Sequence, residues 1–150
     1  GVWMINVHAV GGPEMLDAAR KSIPKEPGAP LLIAVTALTS LDQSNLLDIG
    51  FSEQLENVVL KLTQMARRYN CDGVVCSARE AGFIRNKFGS DFLRITPGIR
   101  LPGDSPNEQK RVMDPINAIK QGASFLVIGR SITQSSNPME IIDKINREIG

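Results

Sequence analysis

Five short apolar runs, separated by segments of helical period, constrain this chain more than any other feature. They lie at residues 3–9, 31–36, 73–76, 93–96 and 125–128. None alternates cleanly between apolar and polar positions, which is the pattern of strands covered on both faces, as in a parallel sheet. Among the intervening segments, residues 52–69 show the clearest helical stripe: Leu55, Val58, Val59, Leu62, Met65, Ala66 and Tyr69 recur at i, i+3, i+4, i+7 spacing. Other helices are announced by their ends. Ser77 with Glu80 forms a capping box, and Asn137 with Glu140 repeats it in amide form. Pro115 after Asp114 and Pro138 after Asn137 place proline at the first helical position, and Gly122 supplies a stop after Gln121. Pro13 opens a further helix that runs to about Lys21.

The resulting order is βαβαβαβαβα, without a low-complexity tract or a linker that would divide it. Strict alternation predicts an α/β fold with a parallel sheet and right-handed crossovers. A doubly wound sheet and a (β/α)8 barrel, or TIM barrel, share that order, and length separates them. A barrel of about 250 residues uses roughly 30 per βα unit. The 150 residues present therefore match about five units of eight. The chain opens Gly1-Val2-Trp3-Met4-Ile5, without an initiator Met and already inside an apolar run. We therefore expect residues 1–150 to form the C-terminal part of a single (β/α)8-barrel domain, with strands one to three absent.

Charge narrows the possible partners. Seventeen Lys and Arg against sixteen Asp and Glu leave +1, which gives no general electrostatic reason to expect nucleic acid or an anionic membrane. Any cationic site must be local. The apolar runs are strand-sized, well short of a membrane span. Cys71 and Cys76, spaced C-x4-C without clustered histidines, form neither a disulfide framework nor a zinc pattern. A reduced cytoplasmic thiol pair is the expectation, with no metal.

In either architecture ligands gather at the carboxyl ends of the strands. The residues standing there are Asn6 and His8; Thr36, Thr39 and Ser40; Cys76 and Ser77; residues 96–100; and Gly129, Arg130 and Ser131. At the last of these, Gly129 lets an anion approach the backbone and Arg130 can close on it with a bidentate fork. A phosphate monoester fits that pair, and a solvated rim arginine beside a turn glycine is the alternative. Residues 97–113 are rich in Pro, Gly and polar groups and lack any period, so they form a long loop. It can act as a lid over the phosphate, with Gln109 donating an amide hydrogen bond and Arg100 anchoring the foot of the loop. The alternative is a surface loop whose charges Asp104, Glu108, Lys110 and Arg111 are merely solvated. His8, the only histidine, reads as a hydrogen-bonded core residue on an apolar strand and Cys76 as a buried small hydrophobe. Asp42 and Asp48 fall in a helical or loop stretch where solvation is expected. No convincing general acid or base is present.

The segments GVWMINVHAVGG (1–12), LLIAVTALTS (31–40), DGVVCSAREA (72–81), ITPGIR (95–100) and VIGRSITQSSNP (127–138) resemble the bacterial orotidine 5'-phosphate decarboxylases, in order and over the whole chain. The resemblance implies a (β/α)8 barrel, homodimeric and free of metal and organic cofactor, that converts orotidine 5'-phosphate to UMP and carbon dioxide in pyrimidine biosynthesis. It implies that Thr39 lies by the pyrimidine, that Arg100 and Gln109 belong to the closing loop, and that Gly129 and Arg130 bind phosphate. His8 matches a strand-end histidine near the pocket. The family's Asp-x-Lys-x-x-Asp motif, whose lysine protonates the carbanion at C6, does not occur in these 150 residues. Nor do the first-strand aspartate and second-strand lysine that complete the charged site. The chain is thus expected to hold the substrate-gripping portion, to be inactive alone, and to fold poorly alone because two sheet edges and an interior face are uncovered. Two other classes compete: a related barrel aldolase or isomerase acting on sugar phosphates, and a non-catalytic phospholigand-binding module with a doubly wound sheet.

Overall fold

The computed structural model describes residues 1–104 and 109–150. Five strands, β1 (Met4–His8), β2 (Leu31–Val35), β3 (Gly73–Val75), β4 (Leu93–Thr96) and β5 (Phe125–Leu126), form one sheet. Every neighbouring pair is parallel and the spatial order is β1-β2-β3-β4-β5. A doubly wound sheet reverses its order at a switch point. This one does not, which removes the doubly wound alternative.

The helices are α1 (Gly12–Ser22), α2 (Gln43–Asp48), α3 (Leu55–Arg68), α4 (Ala78–Phe88), α5 (Pro115–Lys120), α6 (Arg130–Thr133) and α7 (Pro138–Ile149), with a 3-10 turn at Ala9–Gly11. They cover one face of the sheet. Leu16 of α1, Val58, Val59, Leu62 and Ala66 of α3, and Ala81 and Ile84 of α4 pack on Leu32, Ala34 and Val74. A smaller cluster sets Ala118 of α5 against Leu126, Ile128 and Ile99. The alternate residues face the other way, and on the edge strands they meet solvent: Asn6 and His8 are exposed on β1, while Phe125 and Val127 are 39% and 50% exposed.

That second face is concave. On a flat sheet four strand spacings would separate β1 from β5 by roughly 19 Å, yet the rings of Trp3 and Phe125 meet edge to face with centroids 5.1 Å apart. The register explains why these two residues meet. One hydrogen-bonded row runs His8, Val35, Val75, Ile95, Phe125. In a barrel of shear 8 such a row slips about one residue per strand, so after four steps its end is offset by about four residues. Phe125 therefore stands at the level of Met4, next to Trp3. The sheet is an arc of a (β/α)8 barrel, as the element order and length implied.

The caps of α1, α5 and α7 lie where their prolines place them, and Ser77 and Glu80 make the reciprocal box at α4. At α7 only half of the proposed box forms. The Asn137 side chain accepts from the Glu140 amide, but the Asn137 amide donates to Ser135 Oγ instead. Helix α3 begins at Leu55 rather than at residue 52. Here the Gln43 side chain takes the chain's free groups, its Oε1 accepting from Leu55 N at 2.7 Å and its Nε2 donating to Glu53 O at 2.9 Å. A cap supplied from twelve residues upstream leaves no mark in the local sequence pattern. Asp42 corrects an expectation of simple solvation: it is the N-cap of α2, in a reciprocal box with Asn45.

Candidate functional site

Three segments converge above the carboxyl ends of the strands: residues 36–42 after β2, residues 97–104 and 109–113 after β4, and residues 127–131 after β5. Thr39, nearly fully buried, donates from Oγ1 to Gln109 Oε1 at 2.5 Å. These two positions, 70 residues apart in sequence, are thus joined directly. Beneath them lies Gly98, at φ +77°. A Cβ there would come within 2.9 Å of Arg111 O and 3.5 Å of Thr39 Cβ. Both the left-handed backbone and the close approach require glycine at this position.

The loop of residues 97–113 is held at both ends of its described part; Glu108 lies outside the described residues. Ile99 and Met113 form a parallel bridge, with Arg100 N donating to Met113 O and Met113 N to Gly98 O. Three of the charges weighed as solvated have partners instead. Asp104 accepts from Leu101 N at 3.0 Å. Lys110 donates to Asp42 Oδ2 and Asn45 Oδ1, both at 2.7 Å. The Lys110 ammonium is the main cause that holds the Asp42 carboxyl far below its ordinary value, with the Ser44 hydroxyl and the Asn45 amide adding to it. Arg111 is buried and pairs with the equally buried Glu80. Its Nη2 donates to Ala37 O at 3.0 Å and Leu38 O at 2.7 Å. Burial lowers the Arg111 pKa to about 10, which leaves it cationic at neutral pH.

Arg100 and Arg130 line one groove of about 560 Å³, together with Ser131, Gln134, Asp104 and Lys144. Arg100 Nη1 donates to Ile99 O at 2.8 Å. Its Nε, and Ser131 Oγ, are buried without a hydrogen-bond partner among the described residues. Gly129 immediately precedes α6. Its φ is −99°, and a Cβ added to it would meet nothing within 4 Å. The space beside the Gly129 backbone is therefore open, although on this segment the residues lining the groove begin with its neighbour Arg130.

The remaining strand-end residues do other work. Thr36 Oγ1 donates to Val75 O at 2.7 Å and ties β2 to β3. Ser77 N donates to Glu80 at the start of α4. His8 is exposed at the end of β1 rather than the core residue expected, because β1 is an edge strand whose second face is uncovered. It borders a separate apolar cleft of about 150 Å³ with Val10, Leu38 and Leu41. That cleft shares no lining residue with the Arg100–Arg130 groove. Cys76 is fully buried in the core, and desolvation pushes its pKa up to about 12; burial likewise pushes Cys71 up to about 11. At a pKa of about 12, the Cys76 thiol is about one part in ten thousand thiolate at pH 8. Cys76 is therefore expected to resist a thiol reagent at pH 8 until the protein is unfolded by guanidinium. Rapid labelling in the folded state would contradict this. Among the described residues no group of three or more His, Cys, Asp or Glu is gathered as a metal site, and no helix is long and apolar enough to cross a membrane.

A sequential parallel arc with a cationic groove over the ends of its last strands defines a (β/α)8-barrel protein with its ligand face at the carboxyl end. Comparison with known proteins narrows this class. Residues 1–145 match the family described as Orotidine 5'-phosphate decarboxylase / HUMPS family, and the chain belongs to that family. It is 49% identical over 149 residues to an orotidine 5'-phosphate decarboxylase of Nitrosospira multiformis, covering 99% of this chain and 62% of that protein. It is 50% identical over 151 residues to one of Legionella pneumophila, covering 99% and 66%. Its structure resembles the crystal structure of orotidine 5'-phosphate decarboxylase from Lactobacillus acidophilus, with a TM-score of 0.84 and 34% identity over the whole of this chain and 64% of that one. The chain thus spans somewhat under two thirds of the length of most of these relatives.

Proposed function

We propose that this chain is the substrate-gripping portion of an orotidine 5'-phosphate decarboxylase. In this reading Arg130, the Gly129 backbone and Arg100 hold the 5'-phosphate. Gln109 closes over it from the loop, and Thr39 borders the pyrimidine. Residues 1–150 supply the C-terminal five βα units of the barrel. The Asp-x-Lys-x-x-Asp motif, which delivers a proton to C6 as the carboxylate leaves as carbon dioxide, belongs to the rest of the complete protein. The isolated 150 residues are accordingly inactive. Homodimeric assembly and residence in the cytoplasm belong to the same proposal. The apolar residues Val10, Leu38, Leu47 and Ile49, all exposed, support the first of these.

One observation carries the phosphate reading: Arg100, Arg130 and Lys144 line one groove together with Ser131. Two of their donors, Arg100 Nε and Ser131 Oγ, are buried without a partner among the described residues, a state that costs about 1–3 kcal/mol each and that favours their turning into the groove when a phosphate binds. The sugar-phosphate aldolase or isomerase alternative is weaker, because the relatives at about half identity are named decarboxylases. The complete protein is expected to convert orotidine 5'-phosphate to equal amounts of UMP and carbon dioxide, followed by chromatography of the nucleotides. A complete protein that binds UMP but forms none from orotidine 5'-phosphate would overturn the decarboxylase assignment and leave the phosphate site standing.

A further inference from the structure

Arg111 is a buried charge above the strand ends, paired with the buried Glu80, and nothing in the phosphate-binding reading uses it. Its guanidinium spans the two chain segments that carry the Thr39–Gln109 pair. Arg111 follows Gln109 by two residues, and the carbonyls it grips, Ala37 O and Leu38 O, belong to the two residues before Thr39. On its other side Nη1 meets Glu80 Oε1, with Ser77 Oγ at 3.5 Å. Glu80 is itself fixed, because its second oxygen accepts from Ser77 N at 2.7 Å at the start of α4. Gly98 closes the node from below.

We propose that Arg111 is a positioning residue: it holds Thr39 and Gln109 in register, so that the base end and the loop end of the site are set at a fixed separation before a ligand arrives. This deepens the decarboxylase reading and rests on it. The geometry is specific to a planar fork that addresses two successive carbonyls and a carboxylate at once, which a lysine cannot reproduce. Stability alone is a poor explanation, since a buried ion pair is commonly replaceable by neutral groups without loss of stability. What such a replacement would lose here is the alignment of the two loops.

The test uses the complete protein and the paired replacement Arg111→Met with Glu80→Gln. The pairing leaves no charge buried alone, and glutamine retains an acceptor for Ser77 N. The expected result is a melting temperature close to the parent's and a loss of about 100-fold in kcat/KM for orotidine 5'-phosphate, the scale of an ångström-sized misplacement. The same replacement is then made in a Thr39→Val background. If Arg111 acts through the Thr39–Gln109 pair, its removal there costs less than about threefold, because the two sites form one coupled unit. Equal losses in both backgrounds would overturn the proposal. Should the paired variant fail to fold, Arg111→Lys replaces it, with a smaller loss and the same dependence on Thr39 expected. Parent turnover tests the decarboxylase reading and the ratio between backgrounds tests Arg111, so the two fail separately.

Discussion

Replacing Arg130 by alanine in the complete protein is expected to weaken UMP by about 100-fold or more while changing uridine by less than about threefold. The size follows from truncating one partner of a desolvated, charge-assisted contact, which costs about 2–5 kcal/mol. Selectivity follows from position. Arg130 lies at the start of α6 and lines the same groove as Arg100 and Ser131. A nucleoside without phosphate leaves that space empty, so it has little to lose. Arg130→Lys is expected to recover only part of the affinity, because an ammonium cannot reproduce a two-pronged contact. Calorimetric titration with the two ligands measures both constants. Equal weakening of UMP and uridine would mean that Arg130 shapes the fold of the β5–α6 turn and does not bind phosphate.

The isolated 150 residues are expected to form no UMP from orotidine 5'-phosphate above the reagent background. Positioned proton transfer contributes typically 10²–10⁴-fold, and the candidate donors near the strand ends are already committed. Asp42 is bound to Lys110 and its own helix. Glu80 is bound to Arg111 and Ser77. Cys76 is sealed in the core. His8 opens on an apolar cleft separate from the cationic groove. Remote phosphate contacts can stabilise a transition state only where a reacting group is there to be positioned. Chromatographic detection of UMP, with the complete protein as reference, decides the matter. Turnover by the 150 residues that disappears in His8→Ala would transfer the proton donor to His8 and refute this account.

Much of the fold was legible because its signals are local. Parallel strands read as unbroken apolar runs, even at the edges, where β1 and β5 meet solvent on one face; Pro115 and Pro138 mark helix starts, and Ser77 with Glu80 spells a cap within four residues. The short helix α2 escaped, although Asp42 and Asn45 stand at cap spacing, because asparagine replaces the usual Glu or Gln at the third helical position. The curvature of the sheet was also hidden, since it depends on Trp3 and Phe125, 122 positions apart in sequence, meeting across the sheet. At the site, Arg130 and Gly129 could be found from their place after an apolar run. The fastening of Lys110 and Arg111 could not. Their partners Asp42 and Glu80 lie 68 and 31 residues away, and in sequence they look like any solvated charges in a polar loop.

The central claim is a division of labour, with ligand grip inside these 150 residues and proton delivery outside them. It is tested most directly by incubating orotidine 5'-phosphate with the complete protein and with the 150-residue chain side by side and measuring UMP from each. Rapid UMP formation by the complete protein and none by the chain is the predicted result. Turnover by the chain itself would contradict it.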